Sequence, residues 1–156
     1  LILAGTGPRG GFEMDKVTGK TFKYMFKAAL ERIDPKRYIF YNHDEQGKVE
    51  ALKVLDRIGA RTEQFKDKDM KISGFLTQLK AIKAWGQAPQ DDMKYITQPT
   101  LIVNGDKDMQ VPTENSYAMH EKVGGSKLLI YPNAGHGSIF QYADEFSKEL
   151  LSFLAA

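Results

Sequence analysis

The chain reads as an α/β fold built on a short parallel sheet of about three strands with flanking helices. Residues 100–103 and 127–131 are apolar, largely aliphatic runs, each long enough for one buried strand. A helical pattern separates them, which makes a parallel crossover the natural connection. A third strand-like run opens the chain at 1–4, far ahead of the other two.

Taken in order, Leu1, Ile2, Leu3 and Ala4 form the first strand, stopped by the glycine-rich residues 5–11. Helical spacing of Phe22, Met25, Phe26, Ala29, Leu30 and Ile33 predicts a helix over 21–33 with these residues along one face. Asp34 before Pro35 ends it, because a residue preceding proline is pushed out of helical geometry. Residues 38–41 suit either a short strand or the entry to the next helix, predicted over 44–58 with Gly59 as its cap. Charge dominates 61–71, including the lysine-rich 64–71, which reads as a solvated connection with some helix. The clearest helix is 72–85, where Ile72, Phe75, Leu76, Leu79, Ile82 and Trp85 recur at helical spacing and Gly86 and Pro89 close the run. Pro112 before and Gly124 and Gly125 after bound a helix over 113–123. Tyr142, Phe146, Leu150 and Phe153 mark a last one over 142–154.

At 156 residues the chain fits one domain with a sizeable core, and it contains no internal repeat. Net charge is only +2, and lysines are interleaved with acids, which argues against nucleic acid as a partner. No apolar run has the length of a membrane span. The absence of cysteine excludes a disulfide framework and a thiol nucleophile, and fits a reducing cytoplasm. The chain opens at Leu1 inside a strand, with neither methionine nor a charged leader. It is therefore expected to be a piece of a longer protein.

Three motifs invite other chemistry. Gly5, Gly7 and Gly10 match the dinucleotide fingerprint G-x-G-x-x-G after a strand, and Asp44 could pose as the ribose-binding acid. That motif needs a helix opening within it, whereas Pro8 and Gly11 interrupt the opening. Gly19, Lys20 and Thr21 mimic the end of a phosphate loop, but Met14 stands where its first glycine belongs. Asp106 and Asp108 resemble the start of a calcium loop, but Val111 and Tyr117 replace its required glycine and glutamate. No metal or organic cofactor is expected.

The productive pair is Asp108 and His136, each in the loop after one of the two C-terminal strands. In a nucleophile–His–acid triad the acid accepts the Nδ1–H of the histidine and fixes its tautomer. Nε2 is then free to take the nucleophile's proton. Adjacent parallel strands deliver both side chains to the carboxyl edge of the sheet, where open α/β sheets hold their sites. Gly135 and Gly137 flank the histidine and allow close approach of neighbouring backbone. Asp106 is the rival acid, suited to turn formation. Taken singly, Asp108 could be a turn residue or helix cap and His136 merely exposed; their order on successive strands favours the pair. His43 reads as a loop residue, His120 as part of a mixed helix face, and Trp85 as core or pocket lining.

At these residues the sequence resembles the C-terminal part of an α/β-hydrolase-fold protein, and is most similar to the small bacterial esterase and haloperoxidase-like branch. The loop 105–112 resembles the family's acid loop and 134–137 its histidine loop. Residues 1–11 resemble the strand and loop after the nucleophile helix. On this resemblance 1–156 is part of one domain: 1–11 strand and loop, about 12–95 cap and connecting helices, 96–156 the βαβα segment. The resemblance implies Asp108 and His136 as catalytic acid and base, a small ester-like substrate, and no cofactor. Where the family carries its nucleophile in G-x-S-x-G, this sequence has no such motif. The chain alone is therefore expected to be inactive. Its other reading is a non-catalytic interaction module, dimerising or binding a missing half through the exposed first strand. Perhydrolase, haloperoxidase or dehalogenase chemistry and a dinucleotide-binding domain are the lesser alternatives.

Overall fold

A computed structural model describes residues 1–65, 68 and 70–155. Three strands, β1 (Ile2–Ala4), β2 (Leu101–Gly105) and β3 (Lys127–Tyr131), form one parallel sheet in the order β1-β2-β3. The helices are α1 (Val17–Glu31), α2 (Lys36–Ile39), α3 (Glu45–Gly59), α4 (Ile72–Gln87), α5 (Glu114–Lys122), α6 (Ser138–Gln141) and α7 (Ala143–Ala155). The first four lie in the long connection between β1 and β2, and the rest flank the sheet.

Strand periodicity divides the core. Leu3, Ile102 and Leu128 are in register and pack with Met119 of α5 and with Val123. Ala4, Val103 and Leu129 form the next row, which turns to the opposite face. There they meet Ile139 of α6 and Phe146 and Phe153 of α7. All five residues of β2 are buried, as a central strand covered on both faces requires. The expected α/β architecture with three parallel strands is therefore present.

The structure moves several predicted boundaries. The first helix begins at Val17, directly after a 3-10 turn at Met14–Lys16. Its predicted apolar face is not the buried one. Val17, Thr21, Tyr24 and Ala28 are buried, whereas Phe26 and Leu30 are 69% and 70% exposed. Helix α1 carries apolar residues around much of its girth, and the positions of α2, α4 and the 3-10 turn decide which stripe finds partners. Residues 38–41 give no strand, since Tyr38 and Ile39 close the short helix α2. Asp44 caps α3, its carboxylate accepting the N–H of Gly47 at 2.7 Å, and this bond holds the Asp44 carboxyl below its ordinary range. Gly59 lies within α3 and Ala60 takes the cap position.

Gly86 likewise belongs to α4 and does not end it. A side chain there would collide with the backbone of Asp15, so the glycine permits α4 to rest on the 3-10 turn. On α4 itself Leu79 is buried, but Ile72, Leu76 and Trp85 are exposed. In the charged stretch Glu63–Phe65 forms a 3-10 turn. Residues 66, 67 and 69, on which part of the solvated-connection reading falls, lie outside the described residues. Among the described residues no helix is long and apolar enough to cross a membrane.

Two buried phenols link this packing to pH. Burial pushes the Tyr41 and Tyr131 hydroxyls up from 10.0 to about 12. Above the ordinary value the unfolded chain loses these protons before the folded one does. Their contribution is thus complete below pH 10.0 and lost as pH rises towards about 12. Urea midpoints are expected to fall between about pH 9 and about pH 11, and to fall less in the double variant Tyr41→Phe, Tyr131→Phe. An equal fall in both proteins would clear the phenols.

Candidate active site

The site forms where the chain leaves the carboxyl ends of β2 and β3. Backbone pairing continues past the strands: the N–H of Asp106 reaches Tyr131 O at 3.0 Å, and that of Lys107 reaches Ala134 O at 2.9 Å. Gly105 makes this closeness possible, since a Cβ there would run into the carbonyl of Ala134 and lie 2.6 Å from that of Gly135. Two polar side chains secure the acid loop. Fully buried Asn104 donates to Val111 O at 3.3 Å, and Thr113 Oγ1 donates to Gly105 O at 2.7 Å.

Asp108 is held from two sides. Its Oδ1 accepts the backbone N–H groups of Gln110 at 2.8 Å and Val111 at 2.9 Å. Its Oδ2 lies 2.9 Å from His136 Nδ1. The carboxylate thus acts as a turn residue through one oxygen and meets the histidine through the other, so the turn reading and the pair reading are both realised. Asp106, the rival acid, is exposed, and its backbone N–H pairs with Tyr131 O.

The histidine loop is braced by the segment after α2. Gly137 donates to Phe40 O at 2.6 Å, and a Cβ on Gly135 would stand 2.8 Å from Phe40 O and Asn42 N. The Gly135 N–H is taken by Gln141 Oε1 at 2.8 Å. Phe40 also stacks on the His136 ring, centroids 5.5 Å apart at 30°. The Asp108 side chain is wholly buried, whereas that of His136 retains 23% exposure.

With Nδ1 donating to the carboxylate, Nε2 is left as the acceptor. The ring opens into a cavity of about 540 Å³ walled chiefly by Val17, Phe40, Phe75, Leu79 and Ile82. Helices α1 and α4 therefore cover the carboxyl edge of the sheet with apolar side chains. Phe40 and Asn104 escaped the sequence reading, because nothing local in residues 38–41 or in a buried strand marks a neighbour in the third dimension.

The other histidines stand elsewhere. His43 packs edge-on against Tyr24 and Tyr38, and His120 Nδ1 lies 2.8 Å from Ser126 Oγ. No helix opens within residues 5–11, and Asp44 is occupied as a helix cap, so the dinucleotide reading has no structural footing. Among the described residues no group of three or more His, Cys, Asp or Glu could hold a metal ion.

Residues 75–156 match the family model described as TAP-like protein, an α/β-hydrolase family. The chain belongs to this family. It is 39% identical over 75 residues to a non-heme haloperoxidase of Rhodococcus erythropolis, covering 47% of this chain and 27% of that protein. It is 24% identical over 132 residues to a 2-hydroxy-6-oxo-6-(2'-aminophenyl)hexa-2,4-dienoic acid hydrolase of Metapseudomonas resinovorans, covering 78% of this chain and 46% of that protein. Among solved structures, an α/β hydrolase fold protein from Chitinophaga pinensis superposes with a TM-score of 0.87 at 29% identity, covering 98% of this chain and 55% of that one. The chain thus spans only part of the length of its relatives. These matches agree with the family resemblance legible in the two C-terminal loops.

Proposed function

We propose that this chain carries the base and the acid of a hydrolase that attacks an ester, or a related carbonyl compound, through a covalent acyl-enzyme. The observation that carries this reading is the 2.9 Å contact of Asp108 with His136 Nδ1, on a ring that opens into an apolar cavity. In the first step Nε2 of His136 takes the proton of the nucleophile as it attacks the carbonyl carbon. The imidazolium then passes that proton to the leaving alkoxide. In deacylation the same nitrogen deprotonates water and returns the proton to the nucleophile. Asp108 stabilises the imidazolium at both stages. None of these steps calls on a cofactor.

The nucleophile is assigned to a serine outside this chain, since no G-x-S-x-G occurs in the sequence and the chain spans a fraction of its relatives' length. Helices α1–α4 serve as the cap over the pocket. The chain alone is expected to hydrolyse p-nitrophenyl butyrate no faster than buffer. The acid–base pair is tested in the isolated chain by proton NMR. A far-downfield His136 Nδ1–H resonance is expected and should vanish in Asp108→Asn; its absence from the wild-type spectrum would sink the pairing.

A second reading, association through the sheet edge, is favoured by a separate observation. Strand β1 pairs only with β2 among the described residues, and Leu1 and Ile2 are exposed. The outer stripe of α1 adds Phe22, Phe26 and Leu30. An open edge beside apolar surface invites a further strand, from a second copy or from the nucleophile-bearing segment. Sedimentation velocity at high micromolar concentration is expected to show self-association. A strictly monomeric species would overturn this reading.

A further inference from the structure

Residues 40–42, between α2 and α3, grip the histidine loop on both sides of His136. Phe40 O accepts the Gly137 N–H at 2.6 Å. Gln141 accepts the Gly135 N–H through Oε1 at 2.8 Å and donates through Nε2 to Asn42 Oδ1 at 3.2 Å. Between these bonds the Phe40 ring lies against the His136 imidazole. The grip is itself anchored in the cap. Arg37 donates to Asn42 O at 3.1 Å, and Asn42 Nδ2 donates to Asp44 Oδ1 at 2.6 Å and to Asn133 Oδ1 at 3.1 Å. Phe40 packs against Tyr41, Ala51 and Val54, so α3 decides where its ring stands.

The bond to Asp108 leaves the imidazole one freedom. A single hydrogen bond at Nδ1 fixes one edge, and the ring can still swing about its own side-chain bonds towards the cavity. Gly5 sets no side chain against it; a Cβ there would stand 3.3 Å from Nδ1 and Cε1. The Phe40 ring, with centroids 5.5 Å apart at 30°, is in the range of offset stacking and opposes the swing. Catalysis tolerates little such movement, since misplacing a reacting group by about 1 Å costs about a hundredfold in rate. We propose that Phe40 is a positioning residue for the base: its ring holds the His136 imidazole on Asp108 and makes correct seating of the cap a condition for an aligned Nε2. This rests on His136 being the base of the proposed hydrolase.

The test follows exchange of the His136 Nδ1–H with water by NMR in the isolated chain. Phe40→Leu keeps an apolar side chain and the backbone bond to Gly137 but removes the ring. Exchange is expected to quicken about fivefold, the scale of one lost aromatic pair, and Phe40→Tyr should restore it to within about twofold. The backbone N–H groups of Asp106 and Lys107, which pair with Tyr131 O and Ala134 O, are the control. A freed ring quickens Nδ1–H alone, whereas a loosened loop quickens all three. Equal quickening of all three, or unchanged Nδ1–H exchange in Phe40→Leu, would overturn the proposal. In the wild type, nuclear Overhauser effects are expected between the Phe40 ring and the carbon-bound protons of His136. Their absence would strike down the role of Phe40 without any variant, and would leave the acid–base reading standing if the Nδ1–H resonance is present. Overhauser effects without that resonance would strike down the Asp108 pairing instead. The hold of Phe40 is then read from 13C relaxation of the His136 ring, where motion no greater in Phe40→Leu than in the wild type would overturn it.

Discussion

Asp108→Asn is expected to lower kcat by about ten-thousand-fold in a protein that joins this chain to its nucleophile, with the fold intact. The reason lies in how the two carboxylate oxygens are used. An asparagine can place its oxygen where Oδ1 now accepts the Gln110 and Val111 N–H groups, preserving the turn. Its NH2 group then replaces Oδ2 and faces His136 Nδ1 as a donor. That favours the tautomer with the proton on Nε2, where a base must be free, and removes the charge that steadies the imidazolium. His136→Ala should cost at least as much, because triad members act as a unit. Steady-state hydrolysis of p-nitrophenyl butyrate, beside thermal melts of each variant, separates chemistry from folding. A loss of less than about tenfold in Asp108→Asn would remove Asp108 from the triad, since the one removed interaction is made chiefly in the transition state.

The second large effect is on stability. Gly105→Ala is expected to destabilise the chain by about 2–4 kcal/mol, measured by urea denaturation, since overpacking against rigid groups exceeds the cost of an ordinary core change. The added Cβ meets the carbonyls of Ala134 and Gly135, which are backbone and cannot rotate away. Relief requires the β2 and β3 loops to part, breaking the bond from Lys107 N–H to Ala134 O and drawing Asp108 away from His136. The same variant should therefore weaken the His136 Nδ1–H resonance under conditions where it remains folded. A variant as stable as the wild type would mean that the loops have slack the packing does not suggest.

The contrast between α1 and β2 explains what could be read ahead of the fold. Strand β2 is apolar on both faces because both are covered, so its burial is written in composition alone. Helix α1 carries apolar residues on more than one side, and its local pattern pointed to the stripe of Phe26 and Leu30 that remains exposed. Burial instead went to Val17, Thr21, Tyr24 and Ala28, chosen by where α2, α4 and the 3-10 turn lie. Within the site, Asp108 and His136 were legible because loops after parallel strands converge on one edge whatever the intervening helix does. Phe40 was not, since it meets the His136 ring from a distant part of the chain, and Asn104 was not, since nothing in a buried strand marks its bond to the Val111 carbonyl.

From residue order alone come the α/β class, the three parallel strands, most helix positions and the acid–histidine pair. These rest on short-range rules: periodicity, strand-end loops and the steric demands of glycine and proline. Only the folded chain decided which helix stripes are buried, that Asp108 uses one oxygen for its own loop and the other for His136, and that Phe40 stacks on the His136 ring. Those outcomes depend on which surfaces meet across long sequence separations, and local spacing carries no record of the surface a side chain will face.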